Sequence, residues 1–199
     1  MAAVAFMELA VARGWTATGV EYAASTIAAT AKRTGLPVMS LEEVERSTAR
    51  FDVIYLSDVL PHVPDPGATC ERVVALLKPG GSLLVSGPVD AEASLVEWTA
   101  RALKRLRRAL GRDAIAERPP TMLVRTTRRA ELRFFSERLG LRVDRFTIYE
   151  TGWPYRTSQP VRGAGAAVRH AIGTLAVGLA RVTPGERLGN RFLAVLSAK

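Results

Sequence analysis

An α/β fold with a doubly wound, largely parallel sheet is what this sequence predicts, on three observations. The runs FDVIYLSD (51–58) and SLLVSGP (82–88) are almost continuously apolar, as a strand covered on both faces requires. Helical and strand-like segments alternate across residues 1–88, the pattern of parallel strands joined by right-handed crossovers. Glycines at 14 and 35 and the Lys-Pro-Gly-Gly at 78–81 fall where helices should stop. The 199 residues suffice for one ordinary domain with a real core.

Taken in order, residues 2–13 have helical spacing through Phe6, Leu9 and Ala10, and Ala17–Glu21 reads as a short strand. Ser25–Arg33 is helical, and Pro37–Ser40 is a brief strand before the stronger one at 51–58. Asp65 and Pro66 start a helix that runs to about Leu77. The acid accepts free N–H groups there, and the proline loses nothing by lacking one.

Glu92–Leu110 is amphipathic. Leu95, Trp98, Ala102, Leu106 and Ala109 share one face, with Arg101, Lys104, Arg105, Arg108 and Arg112 largely opposite. Residues 113–126 read as a loop, Thr127–Leu139 as a helix closed by Gly140, and 141–149 as an alternating strand. Glu150–Gly163 is a polar loop. Ala164–Val182 is a small-residue helix with Val168, Ile172, Leu175, Leu179 and Val182 on one stripe, and FLAVLSA forms the last strand.

Composition narrows the chemistry. One cysteine, Cys70, excludes an internal disulfide and is expected simply to pack; with two distant histidines, His62 and His170, no metal site is expected. The opening segment lacks a basic stretch and carries Glu8, unlike a secretory signal, and the apolar run 171–180 is too short to span a bilayer. A reducing cytoplasm is the expected location. Residues 1–90 hold 7 Lys+Arg against 10 Asp+Glu, whereas residues 91–199 hold 21 against 9, so the basic character belongs to the second half.

Three stretches, ARGWTATGVEYAAS, FDVIYLSDVLPHVPDP and VVALLKPGGSLLVSGP, stand in an order and spacing that resemble the class I, seven-stranded S-adenosylmethionine-dependent methyltransferases. GLRVDRFTIY and NRFLAVLSAK resemble that family's closing strands, so the resemblance implies one Rossmann-like domain over 1–199. In it, 1–90 would be the cofactor side, 91–190 the substrate-side cover and 191–199 the last strand.

The resemblance implies S-adenosylmethionine as cofactor. Glu21 would take both ribose hydroxyls, which suits a carboxylate accepting two hydrogen bonds. Tyr22 would lie against ribose or adenine, Ser40 and Leu41 would flank the adenine, and Ser57 and Asp58 would run beneath the methionine part. His62 would face cofactor or acceptor and take a proton from an acceptor hydroxyl, while Trp153 and Tyr155 would line the acceptor pocket. The family's glycine-rich loop and central first strand should stand just before Ala5, where Met1–Val4 offer neither. A start placed too far downstream and a degenerate member both account for this, and weak cofactor binding by the chain as written follows from either.

The implied activity is methyl transfer to oxygen or nitrogen of a small organic acceptor, without a metal. Two alternatives stand beside it. One is a non-catalytic binding module, favoured by the absent loop. The other is a basic binder of RNA or a membrane surface, against which the helix at 92–112 has arginines with little aromatic interleaving. Nucleic acid is the less favoured partner, and only weak contact with anionic surfaces is expected from a solvated basic face.

Overall fold

The computed structural model describes residues 2–89, 94–109, 127–152, 155, 161–183 and 188–198. The strands are β1 (Gly19–Val20), β2 (Val38–Met39), β3 (Phe51–Ser57), β4 (Leu77–Pro88), β5 (Arg142–Tyr149) and β6 (Arg191–Ser197). The helices are α1 (Ala2–Ala12), α2 (Ala24–Thr34), α3 (Leu41–Arg46), α4 (Pro66–Val74), α5 (Leu95–Ala109), α6 (Arg128–Arg133) and α7 (Ala164–Val182). A 3₁₀ turn, Leu60–His62, follows β3, and a π-helical turn, Phe134–Arg138, continues α6.

Four strands form one sheet in the order β3-β4-β6-β5, and β1 and β2 form a separate parallel pair. β3 and β4 are parallel as the alternation predicts, whereas β6 runs antiparallel to both its neighbours. Among the described residues no strand pairs with β3 on the side away from β4, or with β1 on the side away from β2. Helix α1 touches both pieces. Its Phe6 ring lies 4.6 Å from that of Tyr55 in β3, and a Cβ on Gly19 of β1 would stand 3.0 Å from Met7 Sδ.

Local chemistry explains the boundaries. Asp65 Oδ1 accepts from the Ala68 N–H at 3.0 Å, with Pro66 next in line. Gly35 closes α2 at φ 67°, a left-handed conformation open to glycine. Helix α4 ends at Val74, three residues before the expected limit, because Leu77 already pairs with Phe51. The Lys-Pro-Gly-Gly turn is thus an irregular entry to β4. The expected strands at 17–21 and 37–40 shrink to two residues each, and the expected loop at 113–126 lies outside the described residues. Helix α3 was not anticipated. It starts in a capping box, with Ser40 Oγ accepting from Glu43 N at 3.2 Å and Glu43 Oε2 accepting from Ser40 N at 2.7 Å.

The core lies on one face of the sheet. Leu83 and Val85 of β4, Leu56 of β3 and Ala194 and Leu196 of β6 meet Val44, Cys70, Val73 and Phe135 from the helices above. Phe192 adds a stacked ring 5.3 Å from Phe146. Both long helices leave large apolar side chains exposed. Helix α7 buries Gly173, Ala176 and Val177, and leaves Val168, Leu175, Leu179 and Val182 exposed. Small side chains permit a close approach, so the smaller face packs inward and the larger stripe faces out. On α5, which packs against α7, every described side chain from Arg101 to Ala109 is exposed.

Cys70 packs as expected. Burial, and after it the nearby Glu131 and Glu71 carboxylates, push its thiol up to about 12. A disulfide-exchange reagent near pH 8 should therefore fail to label the native protein and should label it fully in denaturant. Rapid native labelling would show that the α4 face opens.

Candidate functional site

Parallel strands place their following residues at one end of their sheet. Glu21, Tyr22, Ser40 and Leu41 follow the strands of the β1–β2 pair, whereas Ser57 and Asp58 stand at the end of β3 in the four-stranded sheet. Glu21 comes directly after β1 and is half-buried; its N–H donates to Met39 O at 3.1 Å, which ties it to the end of β2. Its carboxylate makes no hydrogen bond or ion pair with any described residue. Tyr22 beside it is 66% exposed, so its ring is open to a partner. Ser40 follows β2, but its hydroxyl is taken up in capping α3. Leu41 is buried in the core, so at this edge it offers backbone and not side chain.

Ser57 ends β3 and pairs with Ser86. Asp58 then takes φ 57°, a left-handed conformation uncommon for a residue with a side chain. Its N–H donates to Ser86 O at 2.9 Å. Its carboxylate accepts from Arg191 Nη2 at 2.5 Å, across 133 residues of sequence. Although burial opposes the charge on Arg191, its hydrogen bonds to Asp58 and Tyr149 outweigh this and raise its pKa. The left-handed turn at Asp58 is thus held by backbone and by a salt bridge to β6, and the carboxylate is committed inside the protein.

His62 ends the 3₁₀ turn, exposed, on a segment anchored by buried Leu60 and Pro61. Behind this turn a cavity of about 370 Å³ runs between β4, α4 and α6. Leu60, Pro61, Phe134 and Phe192 give it apolar walls, and Glu131 and Arg138 supply charge. Neither Glu21 nor Asp58 lines it. Tyr155 is half-buried, with its N–H donating to Gly152 O at 2.9 Å; Trp153 lies outside the described residues.

Sequence reasoning missed the polar cluster where β4, β5 and β6 meet. Arg191 is one member. Glu150, 9% exposed, is another; its carboxylate accepts from Ser94 Oγ at 2.6 Å and Gly152 N at 2.8 Å. Asn190 Oδ1 accepts from Thr151 N at 3.3 Å and Thr151 Oγ1 at 3.2 Å. Asn-Arg standing directly before the apolar FLAVLSA was the available signal. A polar pair opening a strand that runs antiparallel to its neighbour must sit at that neighbour's carboxyl end, here that of β4.

Comparison with known proteins identifies the family and the fold. A family model described as a methyltransferase domain matches residues 5–144. The ubiquinone biosynthesis O-methyltransferase of Coxiella burnetii (strain Dugway 5J108-111) is 41% identical over 46 residues, 23% of this chain and 20% of that protein. Its namesake in Paracidovorax citrulli (strain AAC00-1) is 34% identical over 83 residues, 37% of this chain and 35% of that one. The chain thus covers between a fifth and about a third of these curated relatives. Among solved structures, the glycopeptide N-methyltransferase MtfA in complex with S-adenosylmethionine superposes with a TM-score of 0.56 at 13% identity, covering 100% of this chain and 84% of that one. This likeness concerns the fold. With a family model spanning residues 5–144, the chain belongs to the methyltransferase domain family, and its fold is the Rossmann-like fold of solved methyltransferases.

Proposed function

We propose that the chain transfers a methyl group from S-adenosylmethionine to an oxygen or nitrogen of a small organic acceptor. The observation that carries this reading is Glu21. It is a half-buried carboxylate at the carboxyl end of β1 with no partner among the described residues, open to two adjacent hydroxyls. Tyr22 offers an exposed ring beside it, and the backbone at Ser40 and Leu41 forms the far wall.

When bound, the cofactor supplies an activated sulfonium methyl, so the protein's task is alignment and exclusion of water. Ser57 and the fixed left-handed turn at Asp58 bound the methionine end through backbone, since the Asp58 carboxylate is already held by Arg191. His62, exposed on the same turn, takes the proton of an acceptor hydroxyl. The neighbouring cavity, whose apolar walls carry the charged Asp65, Glu131 and Arg138, is of a size for a small organic molecule, and Tyr155 and Trp153 are assigned to the acceptor side.

Titration with S-adenosylhomocysteine followed by NMR is the test. Glu21→Gln should weaken binding by about 1.5–3 kcal/mol, the scale of a charged hydrogen bond, with the fold intact by circular dichroism. An affinity that the substitution leaves unchanged removes Glu21 from the site.

A further inference from the structure

We propose that α5 and α7 together form a docking surface for an anionic lipid bilayer. The two helices pack against each other, and each turns large apolar side chains outward. On α7 the exposed residues are Val168 at 60%, Leu175 at 67%, Leu179 at 47% and Val182 at 76%. Their spacing puts all four on one stripe, opposite the buried Gly173, Ala176 and Val177. On α5, Trp98 is 50% exposed and Leu106 is 56% exposed, two turns apart on one face. Scattered exposed apolar residues are ordinary; two packed helices that both present such stripes are not.

Charge selects the occupant. Helices α5 and α7 carry seven Lys or Arg and a single acid, Glu97. Arg101, Lys104, Arg105, Arg108, Arg169 and Arg181 are all exposed. An apolar stripe flanked by arginines suits the boundary between acyl chains and anionic headgroups, with aliphatic and indole groups inserted and guanidinium groups at phosphate depth. RNA would use the arginines but gain nothing from outward-facing valine and leucine. No described helix is long and apolar enough to cross a membrane, so the helices lie on the surface. The inference does not depend on the methyl-transfer reading.

Flotation of the purified chain with vesicles tests it, comparing equal parts phosphatidylcholine and phosphatidylglycerol with phosphatidylcholine alone. The chain should float with the anionic vesicles and stay behind with the neutral ones. The variant R101Q/K104Q/R105Q/R108Q and the charge-preserving variant L175S/L179S should each bind at least about tenfold less, with unchanged melting curves. If L175S/L179S fails to fold, Val182→Ser at the exposed end of α7 takes its place, with the same loss of flotation expected in smaller measure. Equal flotation with both vesicle types, or binding that both substitution sets leave intact, would overturn the proposal. So would absence of flotation together with a dimer that L175S/L179S dissociates, which would assign the surface to a second copy. RNA binding that persists at physiological salt and is lost only in the glutamine variant, without flotation, would assign it to nucleic acid.

Discussion

Replacing Phe135 with alanine should remove about 3–5 kcal/mol of folding free energy, a large part of the roughly 5–15 kcal/mol available to a domain. Its ring is fully buried, 5.4 Å from Phe134 and 6.4 Å from Phe192, among the side chains that join α4 to the β4–β6 face. It also sits in the π-helical turn, where its carbonyl accepts from Leu141 N at 3.0 Å and fixes the entry to β5. The surroundings cannot collapse into the space without moving both the turn and the sheet. Phe135→Leu, which keeps most of the volume, should cost about 1.5 kcal/mol or less. Urea denaturation of both variants measures this. A loss below about 1 kcal/mol for alanine would show that the core refills.

What the sequence made legible was local or periodic. The Asp65-Pro66 start needs only neighbouring residues and appears in the structure as read. So does α7, whose bounds, Ala164–Val182, fall where the periodicity put them. Helix α3 was equally local, in the Ser40-Leu-Glu-Glu43 cap, but six residues are too few to display a period. Orientation was harder to read. Which face of α7 turns inward is set by close packing, which favours Gly173 and Ala176, and periodicity cannot weigh shape against hydropathy.

The candidate site divides in the same way. That Glu21 and Asp58 follow strands and that Ser57 ends one could be read from position. That Asp58 is bound to Arg191 could not be found so, because the pair joins residues 133 positions apart and forms only once β6 enters the sheet antiparallel between β4 and β5.

That late strand makes Gly189 the most sensitive backbone position near the site. A Cβ there would fall on the Tyr149 carbonyl, and would stand 2.8 Å from Ile148 Cγ2, so alanine needs the β5–β6 junction to part. The obstacle is backbone, which cannot swing aside as a flexible side chain could. The chain on either side is also tied down: Asn190 N donates to Tyr149 O at 3.2 Å, Val89 N donates to Asn190 O at 3.1 Å, and Asn190 Oδ1 accepts from Thr151. Gly189→Ala should therefore cost about 3 kcal/mol, the upper end of the usual overpacking penalty. The loss should extend beyond stability, because Arg191 lies two residues on and its hold on Asp58 depends on where β6 begins. Hydrogen exchange should show the amides of Val89, Asn190 and Asp58 losing protection together in the variant, while those of α4 keep theirs relative to global unfolding. If the cost stays under about 1 kcal/mol and Asp58 remains protected, the junction yields without disturbing the turn, and the Asp58 conformation is held by β3 and β4 alone.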